Sequence, residues 1–208
     1  MKLDQKKKVG LLVGFLTIAI FAIGATYAYF TVTVTNNATA STVTGTAKKY
    51  GVVTLTQNTS SLKATLGAEM SQSNATKVYY ATTSGTVQTT NPNAILATAQ
   101  LTNGEVNLTC SYSFTVTSSV TTAISDGSDS NVVIKIGNVS KTLKDLTTAG
   151  STGIAFTGTL TLNPSSGTAS ATIPVESTIT NTNSTQNGLM GNTYTISIAK
   201  PSFTCNPS

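Results

Sequence analysis

The sequence contains no histidine and no tryptophan, and all twelve of its basic residues are lysine. Without histidine there is no imidazole base, no Ser-His-Asp or Cys-His arrangement and no histidine metal ligand. Without arginine the chain lacks the side chain that binds phosphate and carboxylate groups through two parallel hydrogen bonds. The few carboxylates show no recognisable acid–base or metal spacing. The protein is therefore not expected to be an enzyme, and no catalytic residue, cofactor or metal site is predicted.

Charge is also scarce, at 9% of the chain against about 25% in ordinary soluble domains. The net charge of +5 belongs mainly to the first eight residues, because eight lysines stand against six acidic residues from Tyr29 onward. Nucleic-acid binding is not expected, since it needs a clustered basic patch on the folded part. The remaining surface is rich in Thr, Ser and Asn. Such a weakly charged surface favours self-association over colloidal isolation.

The N-terminus has the three parts of a secretory signal peptide. A basic stretch ends at Lys8, an apolar run occupies residues 9–25, and small residues at Thr26 and Ala28 stand at the −3 and −1 positions of a cleavage site. This pattern predicts cleavage between Ala28 and Tyr29. The apolar run with the residues after it is also long enough to span a bilayer, so a retained anchor is the alternative. In both cases the membrane is engaged during export and residues 31–208 lie outside the cell.

The segment Gly24-Ala25-Thr26-Tyr27-Ala28-Tyr29-Phe30, followed by a Thr/Val strand and Asn36-Asn37-Ala38-Thr39, resembles the SipW-type signal peptide of the TasA/camelysin family. The resemblance covers residues 1–46. It implies release by a signal peptidase, a jelly-roll β-sandwich, and assembly into biofilm-matrix fibres by donation of the N-terminal strand. The metalloprotease activity described for camelysin is not carried over, because the chain has no histidine and no HExxH motif.

Alternation of apolar and polar residues is the main structural signal after Tyr29. The clearest run has six in-phase positions from Val106 to Val116, and residues 154–162 repeat the pattern with Gly158 as a bulge or a point of close approach. Turn sequences such as Asn103-Gly104 and Asn187-Gly188 separate such runs. The fold class predicted is all-β, an antiparallel sandwich preceded by an N-terminal hydrophobic signal or anchor helix.

Helix signals are weak. No linker divides the chain into further domains. Leu62, Leu66 and Met70 are spaced for one short helix over residues 61–70, and residues 139–146 suit either a strand or a turn of helix. We predict a signal peptide or anchor at 1–28, an extended N-terminal strand segment at 29–46, and one β-sandwich domain at 47–208.

Cys110 and Cys205 are the only cysteines of the chain. Each lies in phase with apolar neighbours on a predicted strand, so both side chains are expected to point inward. Two inward cysteines in an exported chain predict a disulfide that closes a long loop and holds the C-terminus. Two unpaired buried thiols are the alternative. A catalytic thiol is not expected, because no basic partner or CxxC motif is present.

Residues 126–131 have oxygen-bearing side chains at spacings found in calcium loops. The bidentate Glu of the EF-hand is missing at the required distance. A solvated turn is the favoured interpretation, and calcium binding by this loop stays open.

The leading functional expectation is a secreted subunit of an extracellular fibre or biofilm matrix. The released N-terminal strand, with Phe30, Val32 and Val34 on one face, would add to a sheet edge of another copy. The expected partners are the chain itself, other matrix or surface components, and the signal peptidase. The alternatives are a membrane-anchored surface protein or adhesin, or a type IV-like pilin that retains its N-terminal helix.

Overall fold

The computed structural model describes residues 33–37, 40–47, 51–67, 70, 77–182 and 186–208, with only the backbone described for 33–47. Strands dominate these residues, as the alternation predicts. Their bounds are β1 Thr33–Asn37, β2 Ala40–Ala47, β3 Gly51–Gln57, β4 Ser61–Thr65, β5 Val78–Tyr80, β6 Gly85–Thr86, β7 Ile95–Thr102, β8 Leu108–Ser118, β9 Val132–Ile136, β10 Val139–Thr142, β11 Ile154–Leu162, β12 Thr168–Thr180, β13 Thr193–Ile198 and β14 Ser202–Pro207. One α-helix of these residues, α1, spans Leu143–Ala149.

The strands form two sheets. The larger sheet has eight strands in the order β1-β2-β3-β7-β12-β9-β10, with β5 paired to β12. The smaller sheet has six, in the order β11-β8-β13-β4-β6, with β14 paired to β8. All pairs are antiparallel except β4 with β6. The described residues therefore form a mostly β, sandwich-like fold, as predicted, while the expected N-terminal helix lies outside them.

The inward faces of both sheets supply the core. Leu55 and Leu101 of the larger sheet are almost fully buried, as are Phe114, Phe156 and Tyr194 of the smaller one. Along β8 the inward residues are buried at every second position. This alternation is the period of a strand with one face on a core and one face in water.

Two polar contacts link the sheets across this core. The side-chain amide of Gln57 on β3 donates to the backbone oxygen of Ile198 on β13 at 3.2 Å. The hydroxyl groups of Ser177 on β12 and Tyr194 on β13 lie 3.5 Å apart, and burial raises the pKa of Tyr194. Buried polar groups of this kind need partners, and these two find them on the opposite sheet.

The helix predicted over residues 61–70 is wrong for its first half. Residues 61–65 form β4, which pairs with β13 so that Leu62 lies opposite Ile196. Leu62 and Ala64 are buried while Lys63 is exposed, which is a strand pattern and not a helical one.

Residues 139–146 contain both of the structures that the sequence allowed. Strand β10 ends at Thr142, where the side chain of Thr142 accepts a hydrogen bond from the backbone of Asp145 and begins α1. The carboxylate of Asp145 accepts from the backbone of Thr142 in return, completing a capping box. These hydrogen bonds favour the ionised carboxylate and hold the pKa of Asp145 below its usual value.

Candidate assembly interface

The N-terminal strands lie at one end of the larger sheet. Strand β1 pairs with β2 in a register that sets Val34 opposite Val43, and β2 pairs in turn with β3. Within the described residues β1 has no second neighbour in the sheet. Its outer edge is therefore unpaired there. Strand β2 runs to Ala47, across the boundary expected at residue 46 between the N-terminal segment and the sandwich.

Most of the predicted N-terminal sites lie outside the described residues. These are the cleavage positions Ala28 and Tyr29, the strand-donation residues Phe30 and Val32, and the leader itself. Val34 is the one donation residue that the structure places, and it lies in β1. In the described ranges no helix is long and apolar enough to cross a membrane.

Among the described residues, strand β11 is the longest strand at an end of either sheet. It covers nine residues, IAFTGTLTL, and its one partner in the described part of the chain is β8. Proteins usually protect such edges with charge, proline, a bulge or a short strand. β10 has four residues and carries Lys141, β6 has two residues, and β14 ends at Pro207. β11 has no charge and no proline, and its register with β8 is continuous.

The direction of the backbone groups on β11 follows from its neighbour β8. The Cα atoms of Cys110 and Cys205 lie 3.9 Å apart, the close spacing of an antiparallel pair that exchanges no backbone hydrogen bonds. The N–H and C=O of Cys110 thus point toward β11, where Leu160 lies opposite. On β8 the C=O of Thr115 points the other way and accepts from the backbone of Ala199 at 2.9 Å. Because direction alternates along a strand, the backbone groups of four β11 residues point away from β8: Ala155, Thr157, Thr159 and Thr161.

These four residues form the free edge of β11. Their side chains are exposed, and no hydrogen bond joins their backbone groups to another part of the described chain. On the inward side of the same strand, Ile154 and Leu160 are only half-buried. An added strand would pair the free backbone groups and cover the edges of these two apolar side chains.

Gly158, at the middle of β11, is a point of close approach and not a bulge. It lies opposite Tyr112 on β8, and a Cβ atom at Gly158 would fall 2.3 Å from the Tyr112 hydroxyl oxygen. The phenol also reaches the β9–β10 turn, where a Cβ at Gly137 would fall 2.2 Å from the same oxygen. Burial raises the pKa of Tyr112. The Tyr112 ring thus packs against the backbone of β11 at Gly158, where a residue with a Cβ atom would clash with it.

The predicted disulfide between Cys110 and Cys205 is present. It joins residues directly opposite each other on β8 and β14, 95 positions apart in the sequence. Both cysteines are almost fully buried. Since β8 is the one strand that pairs with β14 in the part of the chain that the structure describes, the bond is the covalent support of this C-terminal strand. Disulfides of this kind indicate an oxidising environment, as outside the cell.

The loop at residues 126–131 is not a simply solvated turn. Asp126 is exposed, and one of its oxygens accepts hydrogen bonds from both the backbone and the hydroxyl of Ser128, while the other accepts from the backbone of Gly188 at 2.7 Å. These bonds, that of the Ser128 hydroxyl first, hold the pKa of Asp126 below its usual value. Ser128 and Asp129, in contrast, are each only 1% exposed.

The structure brings together no recognisable catalytic group among the residues it describes. Nowhere in those ranges do three Cys, Asp or Glu side chains come close enough to share a metal ion. A pocket of about 170 Å³ lies beside Lys135 and Glu176, and the Glu176 carboxylate accepts a hydrogen bond from the amide of Asn91 at 2.7 Å. No hydroxyl, thiol or second carboxylate side chain is among the residues that line this pocket.

Sequence reasoning found the disulfide and the alternation of β11, but it did not identify β11 as an edge. The same alternation occurs in central and edge strands, so the sequence carried no signal for this distinction. Comparison with protein-family models, with curated proteins and with solved structures found no match to this chain.

Proposed function

We propose that this protein is a secreted structural subunit that polymerises into an extracellular fibre or matrix through its N-terminal strand. The observation that carries the proposal is the nine-residue edge of β11, where the backbone groups of Ala155, Thr157, Thr159 and Thr161 have no partner among the described residues. The jelly-roll form of the sandwich and release from the membrane by a signal peptidase are part of the same proposal.

The donor in this mechanism is the N-terminal strand of another copy. β1 lies at the end of the larger sheet with one edge unpaired in the described part, and the sequence of residues 30–34 alternates Phe30, Val32 and Val34 with threonine. Pairing of this strand with β11 would form backbone hydrogen bonds between the unpaired edge of β1 and the free edge of β11. Neither strand carries a charge that would repel the other.

The geometry of the two surfaces sets the form of the assembly. The donor strand belongs to the larger sheet and the acceptor strand β11 to the smaller one, so each subunit offers two different surfaces. A contact between unlike surfaces is head-to-tail, and it extends into a filament unless the rotation between subunits closes a ring. The low charge of the remaining surface favours lateral contact between such filaments.

Deletion of residues 29–35 from the mature protein is expected to abolish polymerisation and leave the fold intact. The deletion removes the donor strand, and the described part of that strand lies at an end of the larger sheet, where it pairs only with β2 among the described residues. Electron microscopy reports fibres, and circular dichroism with a thermal melt reports the fold. Intact fibres from a folded deletion variant would rule out donation by this strand.

A further inference from the structure

The carboxylate of Asp129 is buried without a full set of partners. The residue is 1% exposed, one carboxylate oxygen accepts a hydrogen bond from the backbone of Ile124 at 3.3 Å, and the other oxygen has none. No lysine of the described residues makes an ion pair with it. Burial of an ionised carboxylate is costly unless a positive charge or several hydrogen bonds compensate it.

Asp126 lies on the same loop as this buried group, three positions before it in the sequence. Gly188 contacts both Ile124 and Asp126, since a Cβ atom at Gly188 would fall 2.2 Å from a methyl carbon of Ile124 and 3.0 Å from both carboxylate oxygens of Asp126. Ile124 is also the residue whose backbone binds Asp129. One exposed and one buried carboxylate therefore lie on the same short loop, linked through Ile124 and Gly188.

We propose that this loop binds one calcium ion, with the unpartnered oxygen of Asp129 as its buried ligand and Asp126 as its solvent-side ligand. Calcium accepts six to eight oxygen ligands in flexible geometry, so loop carbonyl oxygens and water complete the shell. Magnesium demands a nearly ideal octahedron and gives up its water reluctantly, so it fits two carboxylates of unequal exposure less well.

The expected affinity is that of an extracellular module. Only two carboxylates are present, and Asp126 already accepts hydrogen bonds from Ser128 and Gly188. Calcium sites of this class bind in the range of about 10⁻⁴ to 10⁻³ M. The ion would neutralise Asp129 and join the 124–131 loop to the turn at Gly188. This site is independent of strand donation, and its failure leaves the proposed function untouched.

The test is the response of the folded protein to calcium after treatment with a chelator. Calcium at about 100 times its dissociation constant is expected to raise the melting temperature by roughly 5–10 °C, because the ion binds the folded state only. Isothermal titration should report one site per chain. Magnesium at the same concentration is expected to give a much smaller shift.

Three variants make the test specific to the loop. Asp129→Asn is expected to abolish the calcium shift and to raise the melting temperature in chelator, because it removes an uncompensated buried charge. Asp126→Asn should weaken binding, and Glu105→Gln, at an exposed carboxylate elsewhere, should leave the shift unchanged. An absent calcium shift in the parent protein, or an equal shift in Asp129→Asn, overturns the proposal.

Discussion

Thr159→Pro is expected to leave the protein folded and to abolish its assembly into fibres. The N–H of Thr159 points away from β8 and has no hydrogen-bond partner within the described residues. Proline is tolerated on the free side of an edge strand because the donor that it removes is unused there. The same substitution deletes one of the four residues whose backbone groups an incoming strand would pair with, and the proline ring obstructs its approach.

The matched control for this variant is Thr159→Ser, which keeps the backbone N–H and the hydroxyl. It should polymerise as the parent protein does. We expect the free energy of unfolding of Thr159→Pro to differ from the parent by about 1 kcal/mol or less. Sedimentation velocity and electron microscopy measure assembly. Fibres of normal yield from Thr159→Pro would exclude the edge of β11 as the acceptor.

Cys110→Ala with Cys205→Ala is expected to lower the free energy of unfolding by about 4–5 kcal/mol. The two cysteines are 95 residues apart, and the chain-entropy model assigns a stabilisation of this size to a loop of that length. The effect should be strongest at β14, which pairs only with β8. The backbone N–H groups of Ser202, Thr204 and Asn206 face β8, so they should exchange with deuterium faster in the variant.

Denaturant titration measures the stability and hydrogen exchange locates the loss. Thr204→Ala is the control, because it changes an exposed side chain on the same strand and leaves the disulfide in place. It should alter stability by about 0.5 kcal/mol or less. A double alanine variant with the midpoint of the parent would show that the bond contributes little to the fold.

Strand positions were predictable wherever the alternation was long. The run from Val106 to Val116 lies in β8 from Leu108 onward, with Val106 just before the strand, and residues 154–162 form β11. The disulfide between Cys110 and Cys205 was also predictable, because each cysteine is in phase with apolar neighbours and falls on the buried face of its strand. In each case local periodicity and tertiary burial agree.

The secondary structure of short segments was harder to predict, because helical and strand periodicity both fit the same residues. Leu62, Leu66 and Met70 suit a helix, while Leu62, Ala64 and Leu66 suit a strand. Residues 61–65 form strand β4 because they pair with β13. That partner lies far along the chain, so the sequence of residues 61–70 alone does not predict the pairing.

The two features from which the proposals are argued depend on long-range contacts. Thr157 and Thr159 look the same in sequence whether β11 is central or at an edge, since only the order of strands in the sheet tells them apart. The acidic sequence around Asp129 is typical of an exposed loop, yet packing beside β9, β12 and α1 buries that residue. Neither the free edge nor the buried carboxylate is visible in a local window of sequence.

The most direct test of assembly by strand donation is to mix the two assembly-defective variants. The deletion of residues 29–35 keeps the acceptor edge, and Thr159→Pro keeps the donor strand, so each alone should be monomeric in sedimentation velocity. A mixture is expected to form a one-to-one dimer that grows no further, because it joins the one intact donor to the one intact acceptor. A mixture that remains monomeric, or fibres formed by either variant alone, would contradict the account.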